Sequence, residues 1–368
     1  MDFTFSDDQL ALEALATSIL GDHCPVDRIK EIEHSEERLD RDLWHHLAES
    51  NLLGLSLPES LGGVGLGFVE SCIVAVALGS RVAPVPIWPT IVAALTLATH
   101  GTSDAHADLV RGVADGTTIL TVALDELGAA DPLHPSVEAT RDEDGRWVLH
   151  GTKVAVPAAT VAHRILVTAR AAGSSPGVFL IDPAADGVTI EAGDGIAHGL
   201  DGLVTLDGVT VAATDALGEV VAWMVDRARV MLCAIQVGVG AEAVRMAADY
   251  TSNREQFGRP LSTNQGVAME IADAHIAIEA MRVTMWHAAW RLDHGLDATS
   301  DVLVATWWAA TGGRRALHLT SHVHGGIGVD IDYPFHRYYL WAKQIEVMLG
   351  GPSRQLAWLG AELAEVRT

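Results

Sequence analysis

The spacing of apolar residues divides the chain into three stretches of different character. In residues 1–118, apolar positions recur every three or four residues, which is typical of amphipathic helices. In residues 119–214 they form short runs of Val, Ile, Leu and Thr separated by Gly, Pro and Asp, which is typical of strands. Helical spacing returns in residues 215–368. We therefore predict an N-terminal helical domain, a middle antiparallel β domain in the form of a small barrel or sandwich, and a C-terminal helical domain.

Local signals place several of these elements. Ser6 followed by Gln9 fits a capping box, so the first helix is expected to begin directly after Ser6. The turn-rich stretch at residues 52–65 predicts a connection between two helices. Asp144-Gly145 is a hairpin signal between two short runs. Strands are expected at Ile119–Leu124, Trp147–Leu149, Arg164–Thr168, Val178–Ile181 and Gly202–Val211.

Composition and charge narrow the class of protein. The chain has 368 residues, of which 49% are hydrophobic and 20% charged, so it can bury a sizeable core. A net charge of −24 argues against nucleic acid or an anionic membrane as a partner, because either would require a basic face. The three cysteines show no metal-ligand spacing, the first residues lack the basic start of a signal peptide, and no long uninterrupted apolar run is present. We expect a soluble cytoplasmic protein.

The most informative stretch is Asn-Arg-Glu-Gln-Phe-Gly-Arg-Pro-Leu-Ser-Thr-Asn-Gln, residues 253–265, between two long helical patterns. Arg254 offers a planar fork of donors suited to a pyrophosphate, and Gln256 adds a neutral amide. Gly258-Arg259-Pro260 ends the preceding helix, so that these groups are presented at its terminus. The simpler interpretation is that Arg254 only complements the helix dipole.

A second candidate binding stretch is His-Val-His-Gly-Gly-Ile-Gly, residues 322–328. Adjacent glycines let the backbone approach a ligand closely, and His322 and His324 can donate hydrogen bonds. Metal binding is an alternative in a chain with 17 histidines. No carboxylate or cysteine shares a ligand spacing with these two residues, so we predict no metal site.

Together these motifs resemble those of the acyl-CoA dehydrogenase family. Arg-x-Gln-Phe-Gly-x-Pro-Leu-x-x-x-Gln is similar to its flavin-binding hallmark, residues 322–328 to its Gln-x-x-Gly-Gly-x-Gly, and residues 58–65 to its Pro-Glu-x-x-Gly-Gly-x-Gly. The resemblance covers the whole chain and implies that the C-terminal domain is a four-helix bundle. It also implies an FAD whose pyrophosphate and adenosine are held across a subunit interface. The implied cofactor-binding residues are Arg254, Gln256, Phe257, Gln265, His322, Gly325, Gly326 and Gly328, with His322 in place of the family's Gln.

The reaction that the resemblance implies is oxidation of an acyl-CoA to the 2,3-enoyl-CoA, in which a carboxylate removes the α proton and flavin takes the β hydrogen. The family carries this base at one of two positions. Here they are Leu349, near the C-terminus, and Ala228, before the Arg-x-Gln-Phe-Gly motif. Neither side chain accepts a proton, so we predict no catalytic residue in this chain.

The flavin-facing part of the sheet domain also departs from the family. Leu124–Asp131 replaces Thr-Glu-Pro-x-x-Gly-Ser-Asp, and Gly151–Pro157 replaces Gly-x-Lys-x-Trp-Ile-Thr. Ala155 and Pro157 thus stand where the resemblance places the aromatic ring and the hydroxyl group against the isoalloxazine. We expect both contacts to be missing.

This division resembles the non-catalytic β subunit of actinobacterial α2β2 heterotetrameric acyl-CoA dehydrogenases that oxidise steroid or cholesterol side chains. The implied partners are a homologous catalytic subunit that binds most of the acyl-CoA, and an electron-transfer flavoprotein as acceptor. One alternative is a self-sufficient homotetramer with a displaced base, for which Asp226 and Glu346 are the candidates. Another is a purely structural partner that does not contact flavin.

Overall fold

The computed structural model describes residues 4–128, 131–171 and 175–365. Its chain divides into two compact units. The first contains Met1–Val26, Cys72–Ala83 and Arg229–Thr368, and the second contains Asp27–Ser71 and Pro84–Ala228. The boundaries at residues 118 and 214 remain predictions.

The N-terminal part of the chain is helical, as predicted. Its helices are α1 (Asp7–His23), α2 (Val26–Glu33), α3 (Arg41–Glu49), α4 (Phe68–Arg81), α5 (Ile87–His100) and α6 (Asp104–Ala114). The capping box is present, because the Gln9 amide donates to Ser6 Oγ at 3.2 Å and the Ser6 amide donates to Gln9 Oε1 at 3.0 Å. Residues 50–67 connect α3 to α4 with a short 3₁₀ turn at Glu59–Leu61.

The middle of the chain forms an eight-stranded sheet. Its strands are β1 (Leu120–Ala123), β2 (Glu138–Arg141), β3 (Trp147–Pro157), β4 (Arg164–Ala171), β5 (Gly177–Ile181), β6 (Val188–Asp194), β7 (Leu200–Val211) and β8 (Ala216–Gly218). The order is β6-β7-β3-β2-β4-β5-β8, and β1 pairs with β4. The hairpin predicted at Asp144-Gly145 joins β2 to β3, with Gly145 at φ 79°.

Most strand pairs are antiparallel, as predicted, but β1 and β2 each run parallel to β4. Periodicity shows which side chains share a face and not which strand lies alongside, so these two pairings were not predicted. One face of the sheet is closed by buried apolar residues that include Leu149, Ile165 and Phe179. Strands β6 and β8 were also missed, since β6 is mostly exposed and β8 has only three residues.

The C-terminal helices are α7 (Val221–Asn253), α8 (Gln265–Asp293), α9 (Thr299–His324), α10 (Phe335–Met348) and α11 (Pro352–Glu365). A two-stranded ribbon, β9 (Glu255–Gln256) and β10 (Arg259–Pro260), lies between α7 and α8. Helices α8, α10 and α11 all pack on α9. Among the described residues, α7 alone has the length and apolar composition of a membrane span, but 72% of its most apolar window is buried within the molecule, as in a core helix.

Helix α4 crosses α7 at two glycines. A Cβ atom on Gly79 would lie 2.1 Å from the Ile235 carbonyl oxygen, and one on Gly238 would lie 2.0 Å from the Val76 carbonyl oxygen. Both distances are far below van der Waals contact, so the two backbones touch where side chains are absent. The end of α4 is therefore an integral part of the unit formed mainly by the C-terminal helices.

Candidate functional site

The arginine motif follows the C-terminus of α7. The Arg254 amide donates to the Tyr250 carbonyl oxygen at 2.8 Å, which continues the helical hydrogen bonding for one more residue. Phe257 and Gly258 then form a two-residue turn with φ values of 58° and 77°, the left-handed geometry that closes a tight hairpin. The Phe257 ring is 94% exposed, and Arg254 and Gln256 are exposed as well. The predicted helix break is thus observed, with the motif on a surface ribbon.

The ribbon is tied to the start of α8. Arg259 Nη2 donates to Asn264 Oδ1 at 2.7 Å, and the Leu261 amide donates to the Arg254 carbonyl oxygen at 2.9 Å. Gln265 is the first residue of α8 and is exposed. These contacts hold the Arg254 backbone and Gln265 on one short, internally bonded segment.

His322 joins the end of α9 to α8. Its Nδ1 atom lies 2.8 Å from Glu270 Oε2 and 3.1 Å from Oε1, and its side chain is 72% exposed. Since a carboxylate only accepts, Nδ1 carries the proton in this contact. Nε2 has no hydrogen-bond partner in the described ranges, so it is the atom of His322 that can meet a ligand.

The glycine motif begins where α9 ends at His324. Gly325 has φ 65°, a left-handed conformation in which an L side chain would be strained. A Cβ atom on Gly325 or Gly326 would meet open space, whereas one on Gly328 would lie 3.0 Å from His324 Cβ. The first two glycines therefore leave room for a ligand, and Gly328 is needed for close packing within the protein.

Contacts between the helix ends bring the two motifs together. The Tyr250 ring, one turn before Arg254, stacks on the His324 ring with centroids 4.9 Å apart and planes at 22°. The contact between His322 and Glu270 links the same end of α9 to the first turns of α8. The end of α7, the start of α8 and the end of α9 thus share one end of the helical unit. The Arg254 guanidinium has no ion-pair partner within the described parts of the chain.

The two positions where the resemblance places a base are buried and apolar. Leu349 is 3% exposed and Ala228 is 1% exposed. Leu349 caps α10, whose first residue, Phe335, packs on His324. Along α10, Leu349 is about 20 Å from that contact at 1.5 Å per residue. It therefore lies at the other end of α10 from the cluster of binding motifs.

The candidates for a displaced base differ in their surroundings. Glu346 is 6% exposed, and its Oε2 accepts from Lys343 Nζ at 3.1 Å. Asp226, on α7, is partly buried. Glu346 thus already pairs with a cation one turn away.

The sheet positions matched to the isoalloxazine site carry small side chains. Ala155 is exposed and has φ 49°, at an irregularity in the pairing of β3 with β7. Pro157 ends β3, and its carbonyl oxygen accepts from Thr121 Oγ1 at 2.5 Å. Of the matched stretch at residues 124–131, Ala129 and Ala130 lie outside the described residues.

A buried ion pair between these two matched stretches was not predicted. Lys153 Nζ lies 2.5 Å from Glu126 Oε1 and 2.9 Å from Thr168 Oγ1, with side-chain exposures of 0% for Lys153 and 2% for Glu126. The Glu126 carboxylate also accepts from the Ser136 amide at 2.6 Å, from Ser136 Oγ, and from the Val137 amide at 3.1 Å. Burial by itself raises the pKa of Glu126, but Lys153 and Ser136 outweigh this, and the pKa lies below its ordinary value. The pair fixes the loop between β1 and β2 onto β3.

A second unpredicted carboxylate lies on β7. Asp201 pairs with Pro157 in the β3–β7 ladder. Burial, with a smaller contribution from the nearby Asp125 carboxylate, raises the pKa of Asp201 to about 6. Asp125 also receives the Val154 amide at its backbone carbonyl oxygen, at 2.9 Å. The matched region of the sheet therefore carries two half-buried carboxylates, Asp125 and Asp201, close to the positions where the resemblance places an aromatic ring and a hydroxyl group.

The two histidines of the glycine motif have different environments. His324 is 3% exposed, and Thr320 and Tyr333 lie within hydrogen-bonding distance of its ring nitrogens, whereas His322 faces Glu270 at the surface. In the described ranges, no group of three His, Cys, Asp or Glu side chains is placed to hold a metal ion.

Comparison with known families identifies the class of protein. The family model for the acyl-CoA dehydrogenase N-terminal domain matches residues 6–117, and that for the C-terminal domain matches residues 218–363. The chain belongs to the acyl-CoA dehydrogenase family, which is a class of oxidoreductases. The predicted fold, with helices, a mostly antiparallel sheet and helices again, is confirmed.

Several individual members of this family are similar to the chain over nearly its whole length. The chain is 37% identical to the acyl-CoA dehydrogenase FadE27 of Mycobacterium tuberculosis, over 99% of both chains. It is 38% identical to FadE28 of the same organism, over 88% of this chain and 93% of FadE28. Among solved structures, it is similar to a variant of the Tcur3481–Tcur3483 steroid ACAD, at 45% identity and a TM-score of 0.94 over 98% of this chain and 99% of that one. It is also similar to the ChsE4–ChsE5 complex from Mycobacterium tuberculosis, at 37% identity and a TM-score of 0.94 over 99% of each chain.

Proposed function

We propose that this chain is the non-catalytic subunit of a hetero-oligomeric acyl-CoA dehydrogenase. In this proposal it contributes groups that bind the pyrophosphate and adenosine of an FAD, while a homologous catalytic partner holds the flavin ring and supplies the base. The observation that carries the proposal is the contrast between the two ends of the helical unit. Arg254, Gln256, Gln265 and His322 are exposed polar residues at one end, and Leu349 is a buried apolar residue at the other.

The residues at the first end fit the phosphate part of FAD. The exposed Arg254 guanidinium without an ion-pair partner suits a pyrophosphate, and open space at Gly325 and Gly326 admits a ligand close to the backbone. The sheet positions do not fit the flavin ring, because Ala155 offers no stacking surface and Pro157 offers no hydroxyl group. When bound, FAD supplies a hydride acceptor. This chain would bind and orient one part of it.

The proposed reaction is α,β-desaturation of an acyl-CoA thioester. A carboxylate of the partner removes the α proton, and the β hydrogen leaves with its electron pair to the cofactor, so that a carbon–carbon double bond forms. One of the similar structures is a steroid ACAD, which supports a steroid side-chain CoA ester as the substrate. The two solved relatives are named as pairs of chains, which supports a heteromeric assembly, proposed as α2β2. We further propose a cytoplasmic enzyme that passes its electrons to an electron-transfer flavoprotein.

Flavin retention by the co-expressed pair tests this proposal. Arg254→Ala is expected to lower the FAD content of the purified complex while leaving the assembly intact. Arg111→Ala is the matched control, since Arg111 is a half-exposed arginine paired with Asp108 on α6. Unchanged FAD content in Arg254→Ala would favour the purely structural alternative.

The isolated chain provides the second test. It is expected to purify without the visible absorption of bound flavin and to be inactive until the catalytic partner is added. Full flavin occupancy with turnover by the isolated chain would establish the self-sufficient alternative. Loss of that turnover in Glu346→Gln or Asp226→Asn would then identify the displaced base.

A further inference from the structure

The imidazole of His324 is buried beneath the glycine motif. His324 is 3% exposed. The centroid of its ring lies 4.9 Å from that of Tyr250 and 4.3 Å from that of Phe335. The Tyr333 ring lies 5.6 Å away. A residue with two polar nitrogens thus occupies the centre of an aromatic cluster, where a phenylalanine would fill similar space.

Hydrogen bonds define the protonation of this ring. Nδ1 lies 2.7 Å from the Thr320 carbonyl oxygen, which only accepts, so Nδ1 carries the proton. Nε2 is then free to accept from the Tyr333 hydroxyl at 3.4 Å. Burial lowers the pKa of His324. The ring is therefore neutral, with both nitrogens directed at protein groups.

His324 belongs to the glycine motif and contacts the end of α7, from which the arginine motif follows. It is the last residue of α9 and precedes Gly325, and its Cβ atom lies against Gly328, where a methyl group would be only 3.0 Å away. Its ring stacks on Tyr250, whose carbonyl oxygen accepts from the Arg254 amide.

We propose that His324 is a positioning residue that fixes the glycine turn and Arg254 relative to each other. The proposal rests on the proposed function, since it assigns His324 a role at the same phosphate-binding surface. The hydrogen bond to the Thr320 carbonyl oxygen fixes the orientation of the His324 ring at the end of α9. Stacking of this ring on Tyr250 then holds the end of α7, which Arg254 follows, in a fixed position relative to the end of α9. A ligand that contacts both Arg254 and the Gly325 backbone would then meet a preformed site.

The test is a double-mutant cycle on FAD affinity in the co-expressed pair, measured by titrating FAD into deflavinated complex. His324→Phe keeps an aromatic ring but removes both hydrogen bonds, and we expect FAD binding to weaken about tenfold, the effect of one well-formed hydrogen bond. In the Arg254→Ala background, the same substitution is expected to have little further effect, because the group that it positions is gone. A general loss of stability would instead act equally in both backgrounds.

His294→Phe is the matched control. His294 Nδ1 also lies near the carbonyl oxygen four residues earlier, at 2.9 Å from Trp290, and its ring packs on Trp290 at 4.4 Å. It lies at the opposite end of α8 from Gln265 and should leave FAD affinity unchanged. If His324→Phe prevents folding, His324→Asn retains a donor near the Thr320 carbonyl oxygen and is expected to weaken FAD binding less than tenfold.

The outcomes distinguish this inference from the proposed function. If Arg254→Ala leaves FAD affinity unchanged, the proposed function fails. If Arg254→Ala weakens FAD binding but His324→Phe has no effect, or has the same effect in both backgrounds, the positioning role of His324 is wrong and the proposed function stands.

Discussion

Removal of the Lys153 ammonium group gives the sharpest test of the energetics of the sheet. Lys153 and Glu126 are almost fully buried and lie 2.5 Å apart. In Lys153→Met, the Glu126 carboxylate would remain buried without a counter-ion, which typically costs about 3–5 kcal/mol. Glu126 would still accept from the Ser136 amide, the Ser136 hydroxyl and the Val137 amide. We therefore expect Lys153→Met to lower the free energy of unfolding by about 3 kcal/mol, the lower end of this range.

This free energy converts to a measurable change in melting temperature. With an unfolding entropy of about 2 cal/mol/K per residue, 3 kcal/mol corresponds to about 4 °C if the whole chain unfolds as one. It corresponds to about 8 °C if only the unit that contains the pair, roughly half the chain, unfolds in the transition. Differential scanning calorimetry of the wild type and Lys153→Met measures the shift directly.

Two further variants make the test specific. Glu126→Gln combined with Lys153→Met removes both charges and keeps one amide oxygen, which can accept from the Ser136 amide and hydroxyl, so part of the lost stability should be recovered. Arg170→Met is the control in the same sheet. Arg170 pairs with Glu138, and both side chains are more than half exposed. Removing the Arg170 charge should therefore lower the free energy of unfolding by less than about 1 kcal/mol. A double variant that is less stable than Lys153→Met would refute the reasoning.

Three other predictions follow from buried or closely packed groups. Burial raises the pKa of the Cys233 thiol to about 12, so a thiol reagent at pH 8 should not modify it in the folded chain and should do so after denaturation. Burial raises the pKa of Asp40, but two hydrogen bonds from Arg28 outweigh this and the pKa lies below its ordinary 3.8. The stabilisation from this ion pair is thus full above about pH 4 and is lost as the pH falls through the lowered pKa of Asp40. Asp40→Asn should therefore remove this contribution to the loss of stability in acid. At pH 7, it should lower the free energy of unfolding, measured in urea, by about 1–2 kcal/mol. Gly238→Ala should lower the free energy of unfolding by about 2–3 kcal/mol in the same urea assay, because its methyl group would meet the Val76 carbonyl oxygen. Gly266→Ala is the control, because Gly266 has open space around it and the substitution should lower the free energy of unfolding less.

Local signals predicted the elements that depend on neighbouring residues. The capping box at Ser6 and the hairpin at Asp144-Gly145 are determined by residues three or four positions apart, and both are observed. The parallel pairing of β1 with β4 joins strands far apart in the chain. Apolar alternation carries no information on such neighbours, so the sequence predicted a simple antiparallel sheet.

At the candidate site, too, the sequence predicted what lies within a short stretch and missed contacts between distant residues. The motifs marked Arg254 and the glycines as binding groups, since each motif is a short stretch. The role proposed for His324 depends on Tyr250, which is distant in sequence, and the motif marked only the exposed His322 as a binding residue. The pair Glu126 and Lys153 was missed for the same reason, because the two residues are 27 positions apart and meet only when β3 lies beside the loop.

The glycine crossing of α4 and α7 also constrains the order of events during synthesis. Gly79 leaves the ribosome long before Gly238, by roughly ten to thirty seconds at ordinary elongation rates. Until then the side of α4 that packs on α7 lacks its native cover, so the early product leaves that side exposed. Fragments truncated before α7 are therefore expected to aggregate.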